Sequence, residues 1–180
     1  MLNELRNITV YHGSYTIVEH ANLDKTRRGK DFGKGFYLTT DKNQAIKFAR
    51  LIARREGLKA GYISKYTISD FDGLAVFEFA GTDIDWLNCI AGNREKKFKK
   101  LAEQWSAYDV IVGKIADDDT SFVLNAYLNG AYGKVGTKSA VSTAVKMLIP
   151  ERLKNQICLK TDKALEKLIF KEAEVTEFDK

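Results

Sequence analysis

Six short segments rich in β-branched and aromatic residues are spaced unevenly along this 180-residue chain, and their spacing limits the folds available to it. Such segments, bounded by turn-forming residues, predict β-strands. Helical patterns separate some of them, whereas other neighbours are joined by a loop alone. A regular alternation of strand and helix would predict a doubly wound parallel sheet, so this irregular order predicts an α+β fold. The predicted strands cover residues 7–12, 35–40, 62–69, 75–79, 108–113 and 156–161.

Apolar residues at helical spacing predict the helices between these strands. The clearest helix begins at a cap on Thr40 or Asp41 and ends near Glu56. Its apolar face consists of Ala45, Phe48, Ala49 and Ile52. The other helical patterns lie at 83–107, as one or two helices, and at 119–129, 137–147 and 163–168. We expect Asp162 to cap the last of these helices, and we expect the charged stretch 94–100 to be solvated.

The composition predicts one folded domain that covers residues 1–180. Hydrophobic residues make up 44% of the chain and aromatic residues 11%, with a single proline, so the chain has enough apolar material for a core. It contains no apolar run of about 18 residues, the length needed to cross a membrane, and the N-terminus lacks the apolar stretch of a signal peptide. We therefore expect a cytoplasmic protein with no membrane partner.

The cysteines and histidines bear on the redox environment and on metal binding. Cys89 and Cys158 both lie in apolar stretches, which predicts buried thiols in a reducing compartment. Two cysteines and two histidines at these positions do not form a spaced zinc site, so no metal is expected.

Positive charge is concentrated in one fifth of the sequence. The formal net charge of the chain is +5, and residues 24–59 contain eleven lysines and arginines against four acidic residues. Such a patch suits phosphate groups, whether of a dinucleotide or of a nucleic acid. A solvated basic helix face would have the same composition, so the charge pattern alone leaves both interpretations open.

Two glycine-containing motifs offer candidate ligand contacts. The first predicted strand ends in Tyr11-His12-Gly13-Ser14, which places an imidazole beside backbone that a ligand can approach closely. The second predicted strand begins within the run Asp31-Phe-Gly-Lys-Gly-Phe-Tyr37. These glycines precede a strand and no Gly-Lys-Ser/Thr follows, which excludes a dinucleotide fingerprint and a P-loop. A hydrogen-bonded histidine and a core tyrosine remain the structural alternatives.

Polar residues near the last predicted strand offer further candidates. Gln156 cannot act as a general base, but its amide can hydrogen-bond a sugar hydroxyl or another amide through both ends. The acidic run 116–119 includes Asp117 and Asp118, which compete with Gln156 for a catalytic role. The same run can instead cap the helix that follows it.

Taken together, these motifs resemble the ADP-ribosyltransferase superfamily, and more narrowly the branch with diphtheria toxin and the poly(ADP-ribose) polymerases, whose site is described as His-Tyr-Glu. A closer resemblance is to an uncharacterised bacterial family of that fold. It rests on Asp31-Phe-Gly-Lys-Gly-Phe-Tyr37, on Tyr108-Asp-Val-Ile-Val-Gly113 with its Ala-Asp-Asp sequel, and on Gln156-Ile-Cys158. The resemblance extends over nearly the whole chain. It implies a split β-sheet sandwich with helices inserted between strands, and NAD as co-substrate.

The resemblance also assigns roles to individual residues. His12 matches the histidine that hydrogen-bonds the NAD ribose next to the adenine. Gly13, followed here by Ser14, matches the glycine whose backbone holds the nicotinamide carboxamide. Tyr37 matches the tyrosine that stacks on the nicotinamide ring. Phe48 stands eleven residues later, where the family places an aromatic on the other face of that ring, and it also fits the apolar face of its helix.

Basic residues before the second strand are implied to contact the diphosphate of NAD. Arg27, Arg28 and Lys30 occupy that loop, and reversing their charge is expected to weaken binding of NAD or nucleic acid in a salt-dependent way. Ala45 departs from the polymerases, which carry a serine there that bonds the carboxamide. This departure predicts weaker binding of nicotinamide-like inhibitors.

Gln156 stands where the family has its catalytic glutamate, which completes an implied catalytic set of His12, Tyr37 and Gln156. A carboxylate at that place stabilises the cation-like sugar that forms as the nicotinamide bond breaks. Glutamine retains the hydrogen bond and loses the charge, so transfer of a single ADP-ribose is expected and chain elongation is not. By the same argument, Gln156→Glu is expected to raise NAD cleavage.

The resulting hypothesis is an NAD-dependent mono-ADP-ribosyltransferase that modifies a protein or nucleic-acid acceptor. The resemblance implies a bacterial toxin or effector held in check by a small antitoxin protein. One alternative is a catalytically inactive domain that binds NAD, another nucleotide or a partner protein. A second is the related RNA 2′-phosphotransferase, which needs a further histidine and arginine in its site, whereas the second histidine here, His20, lies in a predicted loop.

Overall fold

The computed structural model describes residues 6–26, 29–115, 118–148 and 155–177 and contains two β-sheets with helices between their strands. In chain order the elements are β1 (Ile8–Ser14), β2 (Phe36–Leu38), α1 (Lys42–Arg55), β3 (Ala60–Ile68), β4 (Val76–Glu78), α2 (Ile84–Arg94), β5 (Val110–Lys114), α3 (Asp118–Leu128), α4 (Lys138–Met147), β6 (Asn155–Leu159), α5 (Asp162–Leu165) and β7 (Leu168–Glu177). Two 3₁₀ helices cover Leu23–Lys25 and Lys96–Trp105. The predicted α+β class is confirmed, and each of the six predicted strands is present within a few residues of its expected bounds.

A backbone bridge between two described residues links the edges of the two sheets. The first sheet has the order β1-β3-β7 and is antiparallel, and the second has the order β2-β6-β5-β4, in which only the β4–β5 pair is parallel. Tyr11 of β1 and Thr39, which follows β2, exchange backbone hydrogen bonds of 2.8 and 3.0 Å. This bridge fixes the ends of β1 and β2 beside each other.

The second sheet forms the middle layer of the structure, because alternate residues of its strands are buried on opposite faces. One face packs against α2, α3 and α4, and the other packs against the first sheet. The helical side includes Ile111, Cys158, Trp86, Leu124, Tyr127 and Val141. The side between the sheets includes Val110, Val112, Ile157, Leu159, Val10, Tyr66 and Ile68.

Helix α1 packs on the outer face of the first sheet and begins at the predicted cap. The Asp41 carboxylate accepts a 2.9 Å hydrogen bond from the backbone N–H of Asn43, which satisfies one of the N–H groups left open at a helix start. The buried residues of α1 are Ala45, Ala49 and Ala53. These small side chains let the helix backbone approach β1 and β3 closely.

Glycine in β1 is required by this close approach. A Cβ atom on Gly13 would lie 2.1 Å from the backbone oxygen of Ala45, and one on Gly61 of β3 would lie 2.7 Å from the backbone oxygen of Ala49. No side chain fits at such distances without moving the helix. The glycine of Tyr-His-Gly-Ser is therefore needed for α1 to pack on β1.

Both cysteines are buried and free, as the sequence predicted. Burial raises the pKa of the Cys89 thiol and of the Cys158 thiol to about 12. Both side chains are therefore neutral and unreactive at physiological pH.

The C-terminal part of the chain differs from the sequence prediction. The helix expected at 163–168 is the short α5, capped by Thr161 and not by Asp162, and it is followed by the ten-residue strand β7. β7 was missed because it lies at the edge of the first sheet with most of its side chains exposed or half-buried, so it carries little apolar alternation. Its pairing with β3 is supported by an ion pair of 2.7 Å between Lys65 and Glu172.

Within the described residues, no helix is both long enough and apolar enough to cross a membrane.

Candidate functional site

A cleft of about 830 Å³ opens where the two sheets meet, and a volume of this size is typical of sites for small molecules and cofactors. Its walls come from the end of β1, the segment 15–20, the loop 29–31, strand β2 and one face of α1. Gln156 of β6 and Arg94 of α2 also line the cleft. The cleft therefore draws residues from both sheets, although they are far apart in sequence.

His12 is held in one orientation by the neighbouring strand. Its Nδ1 lies 2.8 Å from the backbone oxygen of Tyr37, and its ring stacks on Phe36 with centroids 4.4 Å apart. A carbonyl oxygen accepts hydrogen bonds and cannot donate them, so Nδ1 carries the proton and neutral His12 has its acceptor at Nε2. Burial lowers the pKa of His12, and the nearby charge of Lys30 lowers it further, against the opposing effect of the Tyr37 carbonyl. The imidazole is thus neutral at pH 7.

The Tyr37 side chain is held in place by two hydrogen bonds of its hydroxyl group. The hydroxyl donates to the backbone oxygen of Gly33 at 2.7 Å and accepts from the backbone N–H of Phe32 at 3.0 Å. Burial raises the pKa of Tyr37 well above its usual value, so the phenol stays protonated. Tyr37 consequently fixes the loop before β2, and the residue is among those that line the cleft.

Phe48 lines the cleft from α1 and is half-buried there. The Lys30 ammonium group lies 5.6 Å from the centroid of the Phe48 ring, within the range of a cation–π contact. Lys30 and Lys25 both line the cleft, so the basic segment of the sequence contributes positive charge to its wall.

The backbone of Gly13 faces the cleft. The N–H and C=O of Tyr11 bond to Thr39, at the edge of β1 that lies away from β3. Alternate residues of a strand direct their backbone groups to the same edge, so the N–H and C=O of Gly13 face that edge too. Gly13 and Ser14 lie beyond the Tyr11–Thr39 bridge and line the cleft, which leaves a donor and an acceptor side by side for a ligand amide.

Gln156 is buried at the floor of the cleft and is bonded to a carboxylate. It is 5% exposed, and its Nε2 donates to Oδ2 of Asp31 at 3.0 Å. Asp31 is 6% exposed, and its Oδ1 accepts from Nε of Arg94 at 2.9 Å. The three side chains form a polar chain from half-buried Arg94 of α2, through buried Asp31 of the loop, to buried Gln156 of β6.

Two members of this chain were not identified from the sequence. Arg94 belongs to the stretch 94–100 that was expected to be solvated. That expectation holds for the lysines, which are exposed, and is wrong for Arg94, which is half-buried and pairs with buried Asp31. No pattern in the sequence distinguishes Arg94 from the lysines that follow it. Asp31 begins the glycine motif before Tyr37, and an acidic residue in an otherwise basic loop was the available signal.

Several predicted residues lie outside the described part of the chain. Arg27, Arg28 and Asp117 are among them, so their relation to the cleft is not described. Asp118 begins α3, in agreement with the helix predicted after the acidic run. Ala45 lines the cleft beside Gly13.

In the described ranges, no group of three or more histidine, cysteine, aspartate or glutamate side chains is arranged to hold a metal ion.

The sequence matches the protein family described as "Protein of unknown function (DUF3990)" over residues 8–170. This range begins at the first residue of β1 and includes every cleft residue named above. No curated protein and no solved structure matches the chain. The family is thereby established, whereas an activity has to be inferred from the cleft itself.

Proposed function

The chain belongs to the DUF3990 family, whose function is unknown, and from the cleft we propose that it is an NAD-dependent mono-ADP-ribosyltransferase. The observation that carries the proposal is the gathering of His12, Gly13, Tyr37, Phe48 and Gln156 around one cleft. These five residues come from β1, β2, α1 and β6. The resemblance of the sequence to ADP-ribosyltransferases implies the same five residues as NAD contacts.

The fit of a nicotinamide group is supported by the wall between β1 and α1. The N–H and C=O of Gly13 offer a donor and an acceptor, which match the complementary groups of a carboxamide. Tyr37 and Phe48 line the same cleft, and their rings would provide apolar surfaces for a flat ring. Ala45 supplies no hydroxyl for the carboxamide, so the backbone of Gly13 would hold it alone on that side.

The rest of the dinucleotide would be held by charge and by His12. Lys25 and Lys30 line the cleft and suit the diphosphate. His12 is neutral with Nε2 as an acceptor, which suits a ribose hydroxyl as the donor. The two-sheet arrangement also supports the proposal, because a split β-sheet sandwich is the architecture implied by the resemblance.

The reaction would exchange one bond at the sugar for another. The bond between the ribose and nicotinamide breaks, its electron pair moves to the nicotinamide nitrogen, and an acceptor nucleophile bonds to the same sugar carbon and loses its proton to water. NAD supplies a leaving group that is already positively charged. The chain would supply orientation through Tyr37 and Gly13 and a hydrogen bond to the sugar through Gln156.

The biological setting is part of the proposal. A cytoplasmic toxin or effector, held inactive by a small antitoxin protein, would modify a protein or nucleic acid. The basic segment 24–59 makes a nucleic acid worth testing as acceptor.

An inactive binding domain is the second candidate, because Gln156 places an amide where the superfamily has a carboxylate. NAD turnover separates the two. The purified protein is incubated with NAD labelled on the adenylate and with cell lysate, and release of nicotinamide is measured together with label that protease or nuclease removes. We expect nicotinamide release and transferred label. Binding of NAD without release would establish the inactive domain, and the absence of binding would refute both functions.

A further inference from the structure

Gln156 donates a hydrogen bond from one end of its amide to a buried carboxylate, and the residue lines the cleft. Its Nε2 donates to Oδ2 of Asp31 at 3.0 Å. Among the described residues, none hydrogen-bonds to its Oε1, although the side chain is 5% exposed and lines the cleft. A buried amide oxygen without a protein partner has a cost unless water or a ligand bonds it.

The orientation of this amide is determined by Asp31. A carboxylate paired with an arginine can accept hydrogen bonds and cannot donate them, so the NH₂ end of Gln156 must face Asp31. Arg94 bonds to the other oxygen of Asp31, which keeps the carboxylate from turning. The Gln156 amide is therefore held with its acceptor end directed away from Asp31.

We infer that Asp31 is a positioning residue that makes Gln156 an acceptor toward the substrate, in the manner of a carboxylate oxygen. This inference rests on the proposed function for its substrate, a ribose hydroxyl that donates to Oε1 of Gln156. An amide in the opposite orientation would present two N–H donors to the cleft. These donors cannot accept a hydrogen bond from the ribose hydroxyl. The Asp31 carboxylate also brings negative charge close to the position where positive charge develops on the sugar.

The inference changes the expected result of Gln156→Glu. This substitution would place a second carboxylate about 3 Å from Asp31, and two carboxylates that share a site cannot both ionise freely. The sequence alone predicts that Gln156→Glu raises NAD cleavage, whereas the contact with Asp31 predicts that it lowers NAD cleavage. Either the new carboxyl group is protonated toward Asp31, or the buried cluster is strained.

An exchange of the two functional groups provides the test. In the double variant Asp31→Asn with Gln156→Glu, the introduced asparagine can accept from Arg94 through its Oδ1 and donate from its Nδ2 to the introduced glutamate. The hydrogen bond is restored with reversed polarity and with the same total charge. In Asp31→Asn alone, the NH₂ group of the introduced asparagine faces Gln156, which must turn its oxygen inward and present a donor to the cleft.

Nicotinamide release is measured for the parent, both single variants and the double variant. We expect each single variant to lose roughly tenfold or more in kcat, with a smaller change in KM, since a lost or reversed hydrogen bond costs about that much. We expect the double variant to recover to within a few-fold of the parent or to exceed it. Asp109→Asn is the matched control, because Asp109 is bonded to Ala75, Thr161 and Lys163 outside the cleft. Additive losses in the double variant, or single variants as active as the parent, would overturn the inference.

Thermal unfolding of the same four proteins tests the pair without NAD. We expect Gln156→Glu to lower Tm at pH 7.5 relative to the parent protein, and we expect the further substitution Asp31→Asn to restore it. If the double variant regains its Tm but the parent protein neither binds nor cleaves NAD, the coupling of Asp31 with Gln156 would stand and the proposed function would be refuted. A parent that cleaves NAD, with no rescue in either measurement, would retain the function and refute the role of Asp31.

Discussion

His12 of β1 and Tyr37 of β2 are joined across the boundary between the two sheets by a 2.8 Å hydrogen bond from the imidazole Nδ1 to the backbone oxygen. The bond fixes the ring orientation of His12, and the Tyr11–Thr39 bridge beside it fixes the two strands. The two residues that the resemblance implies as the core of the site therefore depend on the same junction for their positions.

Replacing His12 is expected to abolish transfer. His12→Ala removes the imidazole and its acceptor, and we expect a loss of roughly a hundredfold in nicotinamide release, as for other misplaced or missing site groups. Circular dichroism should show that the variant is folded. His20→Ala is the control, since His20 is exposed, lines the same cleft and has no assigned role. Parental turnover in His12→Ala would contradict the site assignment.

The lowered pKa of His12 predicts a pH effect on stability. Burial depresses the pKa of His12 in the folded state below its unfolded value of 6.5, so the unfolded chain binds more protons as the pH falls. The contribution of neutral His12 to the free energy of unfolding is fully present above pH 6.5. It is lost as the pH decreases through the pKa of His12 in the folded state. We expect Tm to fall between pH 7.5 and pH 5, and His12→Asn to reduce that fall. The Asp70 carboxyl, with a pKa of about 2, titrates below this range.

The hydroxyl of Tyr37 is expected to matter for stability as well as for the site. Tyr37→Phe keeps the ring but leaves the Phe32 N–H and the Gly33 carbonyl without their partner, which costs about 1–3 kcal/mol for buried groups. We expect a decrease of several degrees in Tm together with weaker NAD binding, because the loop before β2 loosens. Tyr62→Phe is the control, since the Tyr62 hydroxyl makes no hydrogen bond within the described residues. An unchanged Tm in Tyr37→Phe would show that the hydroxyl does not hold the loop.

Gly13 is expected to tolerate no side chain. Gly13→Ala places a Cβ atom 2.1 Å from the Ala45 backbone oxygen, so α1 must shift, and overpacking of this kind costs about 1–3 kcal/mol or more. The decrease in Tm is measured against Gly81→Ala, where a Cβ atom would meet nothing within 4 Å. Equal stability of the two variants would mean that α1 is less closely packed on β1 than the structure describes.

Charge reversal at Lys30 is expected to weaken NAD binding in a salt-dependent manner. Lys30→Glu replaces a positive group in the cleft wall by a negative one, and the loss in affinity should decrease as salt screens it over a Debye length of about 8 Å. Lys59→Glu makes the same change on an exposed residue of the same basic segment outside the cleft. Isothermal titration at low and high salt measures both. Equal effects of the two variants would assign the basic segment to a general surface role.

The sequence by itself determined the elements in which periodicity is strong. Helix α1 is capped by Asp41, one of the two predicted caps, because a capping carboxylate and a regular apolar face are local signals. The strand around Ile111 was predicted for the same reason, since a continuous apolar run marks a strand buried on both faces. Strand β7 gave no such signal, because an edge strand is stabilised by pairing with β3 and not by its own apolar pattern.

The cleft was decided by the tertiary structure. Motifs in the sequence marked His12, Tyr37 and Gln156, but the environment of Gln156 depends on Asp31, which lies 125 residues earlier in the chain, and on Arg94 of a separate helix. The ion pair of Arg94 with Asp31 exists because α2 packs against the loop before β2, and no local pattern encodes that contact. Sequence periodicity reports which residues are buried, whereas the partner of a buried polar group is set by the folding of distant segments together. For that reason the sequence could mark the amide of Gln156, and the fold alone determined which of its ends faces Asp31.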